Sequence, residues 1–146
     1  MSSWAFKVVQ TVIVDRPPAT VFAYRAELAK TPEWHRGVVS ASLESMDPIA
    51  IGSRCTELRK GAGDSTEDWE LEVTDYEPTV LLSIVNRCDE WEVSELHQFA
   101  NYGPATRYTV TADVTGSPVP GGAYQKALVQ SLLQLKWALE GVPSHR

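Results

Sequence analysis

At 146 residues, with 43% hydrophobic side chains, the chain is long enough for one domain with a sizeable core and too apolar to be disordered. Its net charge of -6 is unevenly placed: between Asp64 and Glu95 stand eleven carboxylates against one cation, Arg87. That field repels phosphate backbones and anionic lipid, which argues against nucleic-acid and polybasic membrane binding and fits a solvated sheet face.

Trp4 to Val14 is rich in β-branched residues and reads as a first strand. Asp15-Arg16-Pro17-Pro18 ends it, because proline cannot donate to a sheet ladder and suits the start of a helix. Ala19 to Leu28 then reads as a short helix whose apolar set is Val21, Phe22, Tyr24 and Leu28. Arg25 sits at the edge of that stripe, where its stem can pack while its head reaches water. Thr31 as N-cap and Pro32 as first helical residue predict a second short helix, ending near Gly37.

Six further strands follow: Val38 to Met46, Gly52 to Lys60, Ser65 to Tyr76, Val80 to Cys88, Trp91 to Ala100 and Ala105 to Val114. Asp47-Pro48, Gly61-Ala62-Gly63-Asp64, Glu77-Pro78, Asp89-Glu90 and Asn101-Tyr102-Gly103-Pro104 separate them. The glycine-rich turn is no phosphate loop, since no Gly-Lys-Ser/Thr follows and strands flank it. In the fourth strand Trp69, Leu71 and Val73 alternate against Asp68, Glu70 and Glu72. In the seventh, Tyr108, Val110, Ala112 and Val114 alternate against Arg107, Thr109, Thr111 and Asp113. Short turns between sequential strands predict an antiparallel meander with one face to bury.

Gly121 to Gly141 is the one segment that reads as a long helix. Tyr124, Leu128, Leu132, Leu135 and Leu139 recur at spacings of three and four, with Val129, Leu133 and Trp137 widening the stripe. Lys126, Gln130, Gln134 and Glu140 are left for water. Pro120 marks the start, Gly141 suits the left-handed position after the last turn, and Pro143 prevents continuation. So wide a stripe needs a broad partner, and a curved sheet folded round this helix supplies one.

Cys55 and Cys88 form no CxxC pair, and Met1 to Phe6 lack the basic and apolar pattern of a secretory leader, so the expected compartment is the reducing cytoplasm. No run approaches the roughly 18 apolar residues of a membrane span. His35, His97 and His145 lack metal-ligand spacing, and neither a nucleophile elbow nor a dinucleotide fingerprint is present, so no metal and no cofactor are expected.

The order of these elements resembles the START-like, or Bet v 1-like, superfamily (SRPBCC), and within it the polyketide cyclase/dehydrase-like proteins. The resemblance is carried by Val12 to Phe22 at the first strand-to-helix joint, Pro32-Glu33-Trp34, and Ile51-Gly52-Ser53-Arg54. Glu72-Val73-Thr74-Asp75-Tyr76-Glu77-Pro78 and Gly103-Pro104-Ala105-Thr106-Arg107 complete it. It implies an α+β helix-grip fold over residues 1–146: a seven-stranded curved antiparallel sheet around a long C-terminal helix, with two short helices after the first strand. It also implies a cavity between sheet and helix that takes a small hydrophobic or aromatic molecule. The family includes cyclases, lipid carriers, hormone receptors and co-chaperone regulators, so fold does not fix function. The expectation is a ligand-binding domain that assists cyclisation or dehydration of a polyketide-like substrate. The alternative is a non-catalytic carrier or co-chaperone-type module, in either case a monomer or homodimer.

Alternation nominates the residues of that cavity. In the sixth strand the more apolar set is Trp91, Val93, Glu95, His97 and Phe99, which would place Glu95 and His97 side by side as an acid/base pair or as a structural hydrogen bond. Arg54 could orient an enol or carboxylate through its planar fork, or pair with the acidic strands at the surface. Trp69, Trp91 and Tyr108, with Phe99, would be aromatic walls or plain core, and Trp34 would bind at the cavity mouth as a gate or plug the end of the barrel. On the long helix Tyr124, Leu128 and Ser131 would face the ligand, while Leu132, Leu135 and Leu139 seal the core.

Overall fold

The computed structural model describes residues 4–45, 48–61, 63–116 and 121–141, with backbone only at Trp4 and at 121–123. Met46, Asp47, Ala62, residues 117–120 including Pro120, Pro143 and His145, all invoked above, lie outside the described residues or their described part. Seven strands form one antiparallel sheet: β1 (Trp4–Val14), β2 (Val38–Leu43), β3 (Arg54–Lys60), β4 (Thr66–Glu77), β5 (Leu81–Arg87), β6 (Trp91–Tyr102) and β7 (Ala105–Gly116). Their order is β1-β7-β6-β5-β4-β3-β2, a meander from β2 to β7 with the first strand added beside the last. Helices α1 (Pro18–Ala26) and α2 (Gly121–Glu140) and a 3-10 helix (Leu28–Glu33) complete the chain. The sheet is curved, and this is the helix-grip architecture that the order of elements implied.

Several boundaries differ from expectation for identifiable reasons. The second short helix starts at Leu28 and is 3-10, with Thr31 inside it; the Thr31 hydroxyl donates to the Leu28 carbonyl at 2.9 Å and caps nothing. The third strand begins at Arg54, because Gly52 instead donates to the Val73 carbonyl at 2.8 Å and the Val73 N–H returns to Ser53 at 2.9 Å. The β6–β7 turn shrinks to Gly103-Pro104, since Tyr102 pairs with Ala105, and Gly103 supplies the positive φ of 59° that so tight a turn needs. At the far end of β7, Gly116 pairs with both Trp4 and Trp91 at φ 145°, and a Cβ there would meet the Glu90 carbonyl at 2.2 Å.

Along α2, Leu128, Leu132 and Leu135 are buried, while Tyr124 and Leu139 are half-buried. Each fully buried leucine of this kind contributes about 1.5–3 kcal/mol. Gln134 and Glu140, expected to face water, instead tie the helix to the loops on either side of α1 and the 3-10 helix. The Gln134 carbonyl accepts the Arg36 N–H at 3.0 Å, and Glu140 accepts the Asp15 N–H at 2.7 Å and the Lys136 ammonium at 2.7 Å. The outer face of the sheet carries the acidic strands, where Arg87 bridges Glu72 and Glu92 at 3.4 and 3.0 Å. Among the described residues no helix is long and apolar enough to cross a membrane.

Candidate functional site

A cavity of about 270 Å³ lies between the curved sheet and α2. Its apolar wall is made by Leu71, Val110, Leu128 and Leu132, inward positions of β4 and β7 and one stripe of α2. Trp34 and His35, which follow the 3-10 helix, line it too. A second hollow of about 300 Å³ adjoins it, walled by Trp69, Trp91, Val93 and Val114. Arg59, Glu67, Glu95 and Tyr124 line both spaces.

A buried polar network runs through the first cavity. The period of β6 brings Glu95 and His97 onto the inner face, and His97 Nε2 lies 3.2 Å from Glu95 Oε1. His97 Nδ1 lies 2.7 Å from the Tyr108 hydroxyl on the neighbouring strand. Tyr124 of α2 donates to Glu95 Oε2 at 3.2 Å, and Asn86 of β5 donates to Oε1 at 3.4 Å. Arg59 donates to the Asn86 side-chain carbonyl at 2.7 Å and pairs with Glu57 at 2.9 Å while its guanidinium stacks 4.4 Å from the Trp69 ring centre.

Electrostatics set the protonation states. Burial opposes the Glu95 charge, but the hydrogen bond from His97 and the charges of Arg25 and Arg59 outweigh it and hold the carboxyl at about 2. Burial first, then the charge of Arg25, lowers His97 despite Glu95, so the ring stays neutral. An ionised Glu95 accepts only, which puts the His97 proton on Nε2 and leaves Nδ1 to accept from Tyr108. Burial, countered in part by Arg25, pushes the Tyr108 hydroxyl up to about 12. Burial, with Arg59 and Arg25 adding repulsion, lowers His35 to about 4.

Arg25 is the residue that sequence reasoning misplaced most. It is 8% exposed on α1, against the expectation that its head reaches water. Its guanidinium carbon lies 5.4 Å from the centre of the Trp34 ring, and no carboxylate is within salt-bridge distance among the described residues. Arg25 Nε and Nη1 and Trp34 Nε1 are buried donors with no hydrogen-bond partner.

The nominated residues divide. Glu95, His97, Tyr108, Trp34, Leu128 and Ser131 line the first cavity, Trp69 and Trp91 the second hollow, and Tyr124 both. Phe99 lines neither: it packs 4.9 Å from Tyr108 and 5.1 Å from Phe22, ring centre to ring centre, as core. Arg54 is corrected outright, since it stands exposed on the outer face, 3.9 Å from Glu72. Glu57, Arg59 and Asn86 were missed. Cys55, Glu57 and Arg59 share the inward face of β3, but that set is as polar as Arg54, Thr56 and Leu58, so alternation gave no signal for it. Among the described residues no group of three His, Cys, Asp or Glu side chains could hold a metal ion.

The sequence model of the family described as polyketide cyclase/dehydrase and lipid transport matches residues 5–138. A search of curated proteins returned no match. Among solved structures, the Zhui aromatase/cyclase from Streptomyces sp. R1128 is similar at a TM-score of 0.79 with 12% identity, covering 94% of each chain. A START superfamily protein from Mycobacterium smegmatis is similar at 0.74 with 20% identity, covering 92% of this chain and 94% of its own. Ara h 8.0201 is similar at 0.75 with 14% identity, covering 94% and 97%. At these identities the likeness is one of fold.

Proposed function

The chain belongs to the polyketide cyclase/dehydrase and lipid transport family, and from that premise we propose that it holds a small hydrophobic or aromatic molecule in the cavity between sheet and α2. The observation that carries this reading is a space between sheet and α2 with an apolar wall that also contains buried donors without partners. A core packed only for stability leaves few such groups, because each costs about 1–3 kcal/mol. The volume, about 270 Å³, stands at the small end of ligand sites, so it suits one or two rings rather than an extended polycycle.

Holding is favoured over proton transfer. Both ring nitrogens of His97 and both carboxylate oxygens of Glu95 are already engaged within the protein. A general base needs a lone pair facing the substrate, and a carboxyl held near 2 is a weak one. A second reading, cyclisation or dehydration assisted by Glu95 and His97, draws on their contact inside an apolar cavity. That cavity also carries the buried polar network, so this reading requires the substrate to displace one of their present partners.

The test is a fluorescence titration with 2-naphthol and 2-naphthoate against wild type and Ala127→Trp. Ala127 lines the cavity yet is exposed on its helix, so a bulky residue there blocks the space without disturbing the core. Saturable binding that Ala127→Trp removes supports the cavity as the site. Binding that persists in the variant, or none in wild type, contradicts it. Native mass spectrometry of protein purified from its own host separates holding from turnover: a co-purified molecule released unaltered supports holding.

A further inference from the structure

The cavity is unbalanced in what it lacks. Its unpartnered buried side-chain atoms are Arg25 Nε, Arg25 Nη1 and Trp34 Nε1, three donors, and among the described residues no unpartnered buried acceptor accompanies them. A water molecule could use a donor but would leave the Arg25 charge without a counter-ion in contact. The group that completes this corner is one that only accepts.

Charge narrows the choice. Arg59 has its counter-ion in Glu57 at 2.9 Å, and Glu95 is met by hydrogen bonds from His97, Tyr124 and Asn86, all neutral. Arg25, 8% exposed, has no carboxylate in contact among the described residues. It touches the face of Trp34 and the Tyr108 hydroxyl and feels Glu95 and Glu57 only through space, weaker partners than an anion in contact. A buried cation left in this state is costly, and a bound oxyanion removes the cost.

Building on the cavity as ligand site, we propose that the ligand carries a carboxylate, and that Arg25 and Trp34 receive it while Leu71, Val110, Leu128 and Leu132 hold its apolar body. A single carboxylate suits one unmatched guanidinium. A phosphate dianion would bring a second charge into a space where Glu57, Glu67 and Glu95 already stand against Arg59 and Lys60.

Calorimetric titration with 2-naphthoate and its uncharged counterpart 2-naphthamide tests this at pH 7, where His35 and His97 are neutral. Wild type should prefer the carboxylate by about tenfold or more. In Arg25→Met the preference should vanish while the amide still binds. Should that variant fail to fold, Arg25→Lys, which keeps the charge but not the planar fork, should retain part of the preference. Equal binding of acid and amide to wild type would overturn the carboxylate and leave the cavity reading standing. Binding of neither would overturn both.

Discussion

The Arg25 guanidinium carbon lies 5.4 Å from the centre of the Trp34 indole, and the two side chains together hold three buried donor nitrogens without partners. Arg25 comes from the last turn of α1 and Trp34 from the residue that ends the 3-10 helix. Two short elements between β1 and β2 thus supply the polar corner of a cavity whose apolar walls are sheet and α2. The consequences below follow from that division.

Arg54 should be dispensable. It is exposed on the outer face, and its 3.9 Å approach to Glu72 is a surface pair. Arg54→Ala should leave 2-naphthoate affinity unchanged and shift the urea midpoint by no more than about 0.5 kcal/mol in free energy. A large loss of binding would return Arg54 to the site.

Leu135 should be a stability residue without a ligand role. It is fully buried on α2 and lines neither the cavity nor the adjoining hollow. Leu135→Ala should cost about 2–5 kcal/mol in urea unfolding, with binding unchanged in the folded fraction. A cost under about 1 kcal/mol would mean that α2 packs less closely on the sheet than described.

Acid should weaken the fold from mildly acidic pH downward. Burial, with Arg59 and Arg25, holds His35 at about 4 against 6.5 when unfolded. Between those values the unfolded chain binds more protons, so stability falls as pH drops from about 6.5 through about 4. His97 is lowered for similar reasons and adds to the same loss. Urea midpoints at pH 7 and pH 4.5 should therefore differ, and His35→Gln should reduce the difference. An equal difference in wild type and variant would show that His35 titrates normally.

Gly116 should resist substitution. At φ 145°, with the Glu90 carbonyl 2.2 Å from a built Cβ, an alanine must push the backbone of the β6 start aside. Gly116→Ala should lower stability by more than about 1 kcal/mol, whereas Gly63→Ala, with nothing near, pays only for its positive φ of 62°. Equal losses at the two sites would argue against the close approach.

The sheet and α2 were legible in the sequence because their burial follows simple periods. Tyr108, Val110, Ala112 and Val114 all face inward as alternation requires, and Leu128, Leu132 and Leu135 keep the helical spacing. Alternation also put Glu95 and His97 on the inner face. It failed at β3, where Arg54-Thr56-Leu58 and Cys55-Glu57-Arg59 are similarly polar, so hydropathy could not choose the face. Arg25 was illegible for another reason. It occupies a helical position one turn from Val21, but a charged residue there reads as one that reaches water, and only the packed structure shows a cavity at its end. Phe99 carried no mark that separates a core ring from a ligand wall.

The most direct measurement is ¹H–¹⁵N NMR of the Trp34 indole and Arg25 Nε–H resonances during titration with 2-naphthoate. Both should shift progressively to saturation in wild type, with a binding constant matching calorimetry, and should stay fixed in Ala127→Trp. If 2-naphthoate binds while both resonances remain unmoved, the ligand lies elsewhere and the buried donors of Arg25 and Trp34 are not its receptor.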